Sequence, residues 1–211
     1  MQRQSITEGV IKYNTSKQVK KNSVNLRDFR TIEKYRHKLN RLNLIGCYEN
    51  GIGFGNISMI GRDSKILITA SQTGHLKSLK PKHYAKLLKY NVNTMTLRYE
   101  GVGKASSETL THCSLYESIK GAKAVIHIHN EKLWRSLMDA SYPTVDAAVE
   151  YGTKEMADAV KELFKNMGKK SGIFATAGHF EGVFVFADSV EAAYRLLLRI
   201  TTASKFHVLT V

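Results

Sequence analysis

The stretch AVIHIHN at residues 124–130 is an apolar run broken by two histidines one residue apart. Read as a β-strand, it sends Ile126 and Ile128 to one face and His127 and His129 to the other. Two imidazoles buried together without partners are costly, so the segment asks for something that holds them. Taken alone, such a pair also fits surface or internally hydrogen-bonded histidines. A metal ion is the other candidate, because three imidazoles with one open position make a catalytic zinc site. His127 and His129 supply two ligands, and ATAGHFEGVFVF offers a third, His179, at a strand edge between glycines that let the backbone crowd the ion. His37, His75, His83 and His207 are weaker candidates, lying in a basic helix, in lysine-rich loops and close to Val211.

Upstream of this strand, ISMIGRDSKILITAS reads as a hairpin, two β-branched runs joined by Gly61, Arg62, Asp63 and Ser64. LRDFRTIEKYRHKLNRLNL predicts a helix: Leu26, Phe29, Ile32, Tyr35, Leu39 and Leu42 recur at three- and four-residue steps, with Arg and Lys on the other face. The glycine-rich ENGIGFGNIS ends it. Pro81 starts a short turn or helix, VNTMTLRYEG is strand-like, and SETLTHCSLYESIK is helical with Leu110, Cys113, Ser114 and Ile119 facing inward. Downstream, KLWRSLMDA is helical. Thr153 caps a further helix, TKEMADAVKELFKNM, with Met156, Val160, Leu163 and Met167 on one side. SGIFATAGH and GVFVFA pair as strands, and Asp188 with Glu191 forms a capping box that opens the last helix. Strands outnumber clean βαβ alternation, so the fold class is α/β with a largely antiparallel central β-sheet flanked by helices.

A chain of 211 residues, 43% hydrophobic, suits one compact domain, taken as residues 25–211 behind a basic extension at 1–24. No apolar run approaches the roughly 20 residues of a membrane span, and the first residues lack a signal-peptide core, so a cytoplasmic protein without membrane contact is expected. Cys47 and Cys113 form no CxxC pair and are expected to stay reduced. The net charge of +14 invites a nucleic-acid reading, but residues 1–41 alone carry eleven Lys/Arg against three Asp/Glu. No aromatic-basic interleaving or groove-reading motif supports nucleic acid. A solvated arm, a nucleic-acid or membrane contact and a strand over a neighbouring subunit all remain open for that head.

GNIS at Gly55 to Ser58, ILIT at Ile66 to Thr69, GKASSETLTH at Gly103 to His112, AVIHIH, YGTKEMADAV and the Gly178-His179 pair resemble the class II aldolase/adducin family in order and spacing, over about residues 26–205. That family includes fuculose- and rhamnulose-phosphate aldolases, ribulose-phosphate 4-epimerase and methylthioribulose-phosphate dehydratase. The resemblance implies a three-layer, class II aldolase-like fold. It implies that His127, His129 and His179 hold Zn2+ or another divalent metal, with Glu108 as the catalytic acid/base. It assigns the substrate phosphate to Asn56, Ser106 and Ser107, and to Gly74 in TASQTG, where Ala70 replaces the family's proline.

The implied reaction is reversible aldol cleavage of a small phosphorylated sugar, a ketose, through a metal-stabilised enediolate, in a homotetramer. The alternatives are a methylthioribulose-phosphate-type dehydratase, a sugar-phosphate epimerase and, from another class, an adducin-like scaffold or a nucleic-acid binder. The chain departs from the aldolases between His129 and Gly152, which is shorter here. Neither Tyr142 nor Tyr151 aligns with the tyrosine those enzymes lend to a neighbouring subunit, and the tail that closes over substrate in relatives is missing before Val211. Glu181 is an extra carboxylate beside His179, either a partner for a ligand histidine or a turn residue.

Overall fold

The computed structural model describes residues 9–21, 23–165, 168 and 170–207, the side chains of 203–207 apart. The elements in the first half are β1 (Asn14–Val19), α1 (Leu26–Arg41), β2 (Gly46–Cys47), β3 (Gly53–Phe54), β4 (Asn56–Ile60), β5 (Ile66–Thr69), β6 (Tyr84–Asn91) and β7 (Thr96–Glu100). Then come α2 (Thr109–Ser118), β8 (Ala124–His129), α3 (Glu131–Asp139), β9 (Thr144–Val145), α4 (Lys154–Phe164), β10 (Gly172–Thr176), β11 (Gly182–Ala187) and α5 (Val190–His207). Nine strands form one sheet in the order β1-β7-β6-β5-β4-β8-β11-β10-β9, while β2 and β3 pair separately. Only the outermost pairs, β1 with β7 and β9 with β10, are parallel.

β8 sits near the middle, antiparallel to β4 on one side and β11 on the other, and all six of its residues are buried. Its alternation sorts the two cores. Ala124, Ile126 and Ile128 pack with Ile32, Tyr35 and Leu39 of α1, Leu133 and Leu137 of α3, and Val190, Ala193 and Leu197 of α5. Val125 turns the other way, toward Leu115 of α2, Met156, Val160 and Phe164 of α4, and the stacked Phe174 and Phe184. The result is three layers: α1, α3 and α5, then the sheet, then α2 and α4. Asn130 caps α3 and Thr153 caps α4, each accepting from a backbone N–H of the first turn.

Several local readings change. α5 is capped by Ser189, whose Oγ accepts from Ala192 N, one residue beyond the Asp188 and Glu191 box. The strand expected at VNTMTLRYEG starts only at Thr96, because Val92 to Met95 make the turn between β6 and β7, with Met95 at φ 51°. Residues 14–19 pair with β7 as the sheet's edge strand. Leu26 and Leu42 at the ends of α1 are exposed. Met167, expected on the inner side of α4, lies outside the described residues. Cys47 and Cys113 are free thiols.

The largest departure is Arg36, expected on the solvent face of α1 and fully buried instead. Its guanidinium donates to four carbonyls of the segment after β5: Nη2 to Thr73 O (3.0 Å) and Gly74 O (3.3 Å), and Nη1 to Lys77 O (3.1 Å) and Leu76 O. Asn40 adds a bond to Gly74 O, and Glu33 accepts from Leu79 N and Tyr84 Oη. The helix thus fixes a loop without secondary structure of its own. Gly74 is required there, since a Cβ at that position would lie 1.7 Å from Gly46 O.

Arg36→Met takes the guanidinium away from those four carbonyls, of which Gly74 O keeps only Asn40 and Thr73 O only Leu76 N, and is expected to lower the free energy of unfolding by about 3 kcal/mol in a urea titration. Arg30→Met, on the exposed face of the same helix, is expected to change it by less than ~0.5 kcal/mol.

Candidate functional site

His127 and His129 leave β8 on the side away from α1. His127 lies opposite Asn56 on β4 and Phe184 on β11, and its ring stacks on Phe184 at 4.1 Å. His179 arrives from the turn between β10 and β11, folded by Thr176 Oγ1 donating to His179 O and Gly182 O and by Gly182 N donating to His179 O. The glycines beside it serve this turn. A Cβ at Gly178 would lie 2.5 Å from Ala147 O, and one at Gly182 would lie 2.5 Å from Thr176 Oγ1.

The three imidazoles each offer a nitrogen within 4.8 Å of the others, and all three are buried. His127 Nε2 and His129 Nε2 stand 3.2 Å apart. Nitrogens bound 2.0–2.1 Å from a tetrahedral zinc stand roughly 3.3 Å apart, so this pair already has the spacing of a metal edge. Both outer nitrogens have acceptors: His127 Nδ1 lies 3.2 Å from Val183 O and His129 Nδ1 2.7 Å from Tyr48 Oη. An Nδ1–H donated outward leaves the Nε2 lone pair facing inward, the tautomer that ligation needs. Burial, and then the neighbouring His129 and His179, hold the His127 pKa well below the ordinary histidine range, so its imidazole is neutral. The residues present therefore fit a divalent cation of the zinc type.

Glu108 stands at the start of α2, fully buried, with Oε1 4.0 Å from His179 Nδ1 and Oε2 accepting from Thr111 Oγ1 at 2.8 Å. Asn56, Ser106, Ser107 and Gly74 converge on one small pocket, which Ser71, Gln72 and Thr73 also line. A separate cleft of about 370 Å3, lined by Lys170, Asp188, Arg195 and Arg199 among others, shares no residue with either group.

Residues beyond the expected set complete the surroundings. Tyr48 links His129 to Glu181: its hydroxyl lies 2.7 Å from the imidazole and 3.5 Å from Glu181 Oε2. Glu181 thus reaches His129 through a tyrosine, and it also occupies the turn at φ 65°. Burial, with Glu131 nearby, raises its pKa against the opposing Tyr48 bond. Tyr151 stacks on His179 at 4.8 Å. His112 lies deeper, its Nδ1 2.7 Å from Ser58 Oγ, and burial pushes its pKa down to about 3. It is a neutral internal histidine that braces α2 against β4. Tyr48 carries no mark in the sequence beyond being aromatic, and Tyr151 is marked only by opening YGTKEMADAV; the β2–β3 loop and the segment before α4 bring them to the histidines.

Three solved structures share this fold at low identity. An L-fuculose 1-phosphate aldolase superimposes with a TM-score of 0.66 at 20% identity, covering 89% of this chain and 88% of that one. The L-fuculose-1-phosphate aldolase of Thermus thermophilus gives 0.61 at 21% identity (88% and 94% covered), and the sugar-phosphate aldolase of Thermotoga maritima 0.63 at 20% (86% and 93%). No curated protein sequence matches the chain. Residues 49–208 match the Class II Aldolase and Adducin N-terminal domain, and the chain belongs to that family.

Proposed function

We propose that the protein is a metal-dependent lyase that cleaves a phosphorylated ketose reversibly by aldol chemistry. One juxtaposition supports this reading: three buried imidazoles, two of them at zinc-like spacing, stand beside a buried carboxylate, and Asn56, paired with His127 across β4 and β8, lines a polar pocket together with Ser106 and Ser107. His127, His129 and His179 would hold Zn2+ or another divalent cation. Bound there, such a cation supplies Lewis acidity to a substrate carbonyl oxygen.

The chain's own residues supply the rest. Asn56 Nδ2, the Ser106 and Ser107 hydroxyls and the backbone N–H groups around Gly74 bind the phosphate and so orient the substrate toward the histidines. Glu108 Oε1, on the His179 side, holds and returns the proton that cleavage moves, while Thr111 fixes Oε2. Phe184 beneath His127, Tyr151 against His179 and Phe54 against His129 keep water from the ligand rings. A small phosphorylated sugar as partner and assembly as a homotetramer belong to the same reading. Among the described residues no helix is long and apolar enough to cross a membrane.

Metal analysis is expected to find one divalent ion per chain, lost in His127→Ala. A metal-quantified screen of phosphorylated ketoses, with products identified by mass, is expected to find two smaller fragments. An intact carbon skeleton lighter by one water would replace cleavage with dehydration. Metal-free protein whose behaviour His127→Ala leaves unchanged would reduce the fold to a scaffold.

Glu108→Gln preserves the shape at the start of α2 and removes the proton carrier. It is expected to keep the metal while lowering turnover by about 10²–10⁴-fold in steady-state assays. Turnover within a few-fold of the unsubstituted protein would take Glu108 out of the chemistry.

A further inference from the structure

Among the described residues, the pocket that receives the phosphate in the preceding reading is lined by Gly, Asn, Ala, Ser, Gln and Thr and by no cation. Phosphate is a dianion near neutral pH, and a pocket of neutral donors leaves most of its charge uncompensated. Arg36, behind Thr73 and Gly74, is already spent on their carbonyls, and a candidate for a counter-charge comes from the segment before β1.

That segment is fastened at the sheet edge and then crosses to the site. Asn14 N donates to Met95 O (2.7 Å), Tyr13 Oη to Ala105 O (2.8 Å), and Gln18 Nε2 to Gly101 O (3.0 Å) and Gly103 O (3.1 Å). Ahead of Tyr13, Val10 N donates to Tyr151 Oη (3.2 Å), and Gly9 lines the pocket itself, where a Cβ would lie 2.4 Å from Gln72 Nε2. Lys12 reaches the same place: Nζ donates to Tyr151 O (2.9 Å), sits 4.2 Å from the centroid of the Tyr151 ring, and pairs with Glu150 at 2.6 Å. Its stem passes Gly152, on whose other side lies the Ser107 carbonyl. A Cβ at Gly152 would lie 3.4 Å from Ser107 O and 3.9 Å from Lys12 Cδ, so only a glycine separates them.

Resting on the phosphate assignment above, we infer that residues 9–12 form one wall of the substrate site and that Lys12 is a specificity-determining residue whose ammonium pairs with the substrate phosphate. The present partner is easily exchanged. The Glu150 side chain is 60% exposed and that of Lys12 is 20% exposed, and pairs of that kind hold weakly. A phosphate dianion enclosed beside Ser107 offers more charge in a drier place, and a lysine stem turns without moving the backbone. Held by Val10 and Tyr13 on either side, Lys12 is delivered to the pocket by the chain's own edge strand.

The test uses the full-length, zinc-loaded protein and calorimetric titration with dihydroxyacetone phosphate, with uncharged dihydroxyacetone and zinc as the comparisons. Lys12→Met is expected to weaken dihydroxyacetone phosphate binding about 10-fold, the scale of one charge-assisted contact, and to leave dihydroxyacetone and zinc affinity unchanged. Lys12→Arg restores most of it, and Glu150→Gln, which frees the ammonium, tightens it about 2-fold. Wild-type affinity in Lys12→Met overturns the inference and leaves the proposed function standing. An equal loss for the phosphate, the uncharged analogue and zinc also overturns it, since Lys12 would then only brace Tyr151 against His179. Unsubstituted protein that binds neither zinc nor dihydroxyacetone phosphate removes the proposed function and this inference together.

Discussion

The register of β8 between β4 and β11 is the constraint on which the rest depends. Ala124, Ile126 and Ile128 are committed to the layer of α1, α3 and α5, where each is fully buried. A slip of one residue would put His127 and His129 into that apolar layer and turn three aliphatic residues toward Glu108. Burying two unpartnered imidazoles among aliphatic side chains costs several kcal/mol, so one pairing is strongly specified. Pairing His127 with Asn56 and Phe184, and His129 with Gly182, follows from that single choice. The same register brings the β10–β11 turn, and so His179, beside the other two rings.

Much of this was legible because it rests on local periodicity. Alternation in AVIHIH, the turn at Gly61 to Ser64, and the spacing of Ile32, Tyr35 and Leu39 each report their own element and need no knowledge of a partner. The rest depends on distant contacts. β6 went unread because Leu87, Leu88 and Lys89 break the two-residue period. The register shifts between Leu87 and Lys89, so one extra residue is accommodated there in the manner of a β-bulge. β1 went unread because NTSKQV has no apolar face, which suits an edge strand whose lysine discourages further pairing. His179 could be picked out by its flanking glycines, yet those glycines answer to the carbonyl of Ala147 and the hydroxyl of Thr176.

Arg36 is the clearest case of a residue whose role no periodicity could disclose. On the helix it occupies a position next to Tyr35, and composition alone places an arginine in water. Its burial makes sense only once the loop after β5 is in place, offering four carbonyls that a guanidinium can span. Burial lowers its pKa while Glu33 and Tyr84 oppose that, and the group has acceptors enough to stay charged inside the protein.

This buried cation also shapes the pocket it never lines. A planar peptide sends its carbonyl and the following N–H in opposite directions. With the carbonyls of Thr73 and Gly74 held on Arg36, the N–H groups of Gly74 and His75 are turned away from it. Gly74 borders the polar pocket, so part of that border is backbone that the arginine has oriented beforehand. With the phosphate placed as proposed, the arrangement divides the work on it between two cations. One is sealed behind the loop and fixes the direction of neutral donors. The other, Lys12, lies against Tyr151 on a flexible stem, from which, as inferred above, its charge meets the phosphate directly. On the proposed reading, a pocket built this way needs no reorganisation of its floor when an anion arrives, and discrimination between charged and uncharged substrates falls to Lys12, whose stem can turn.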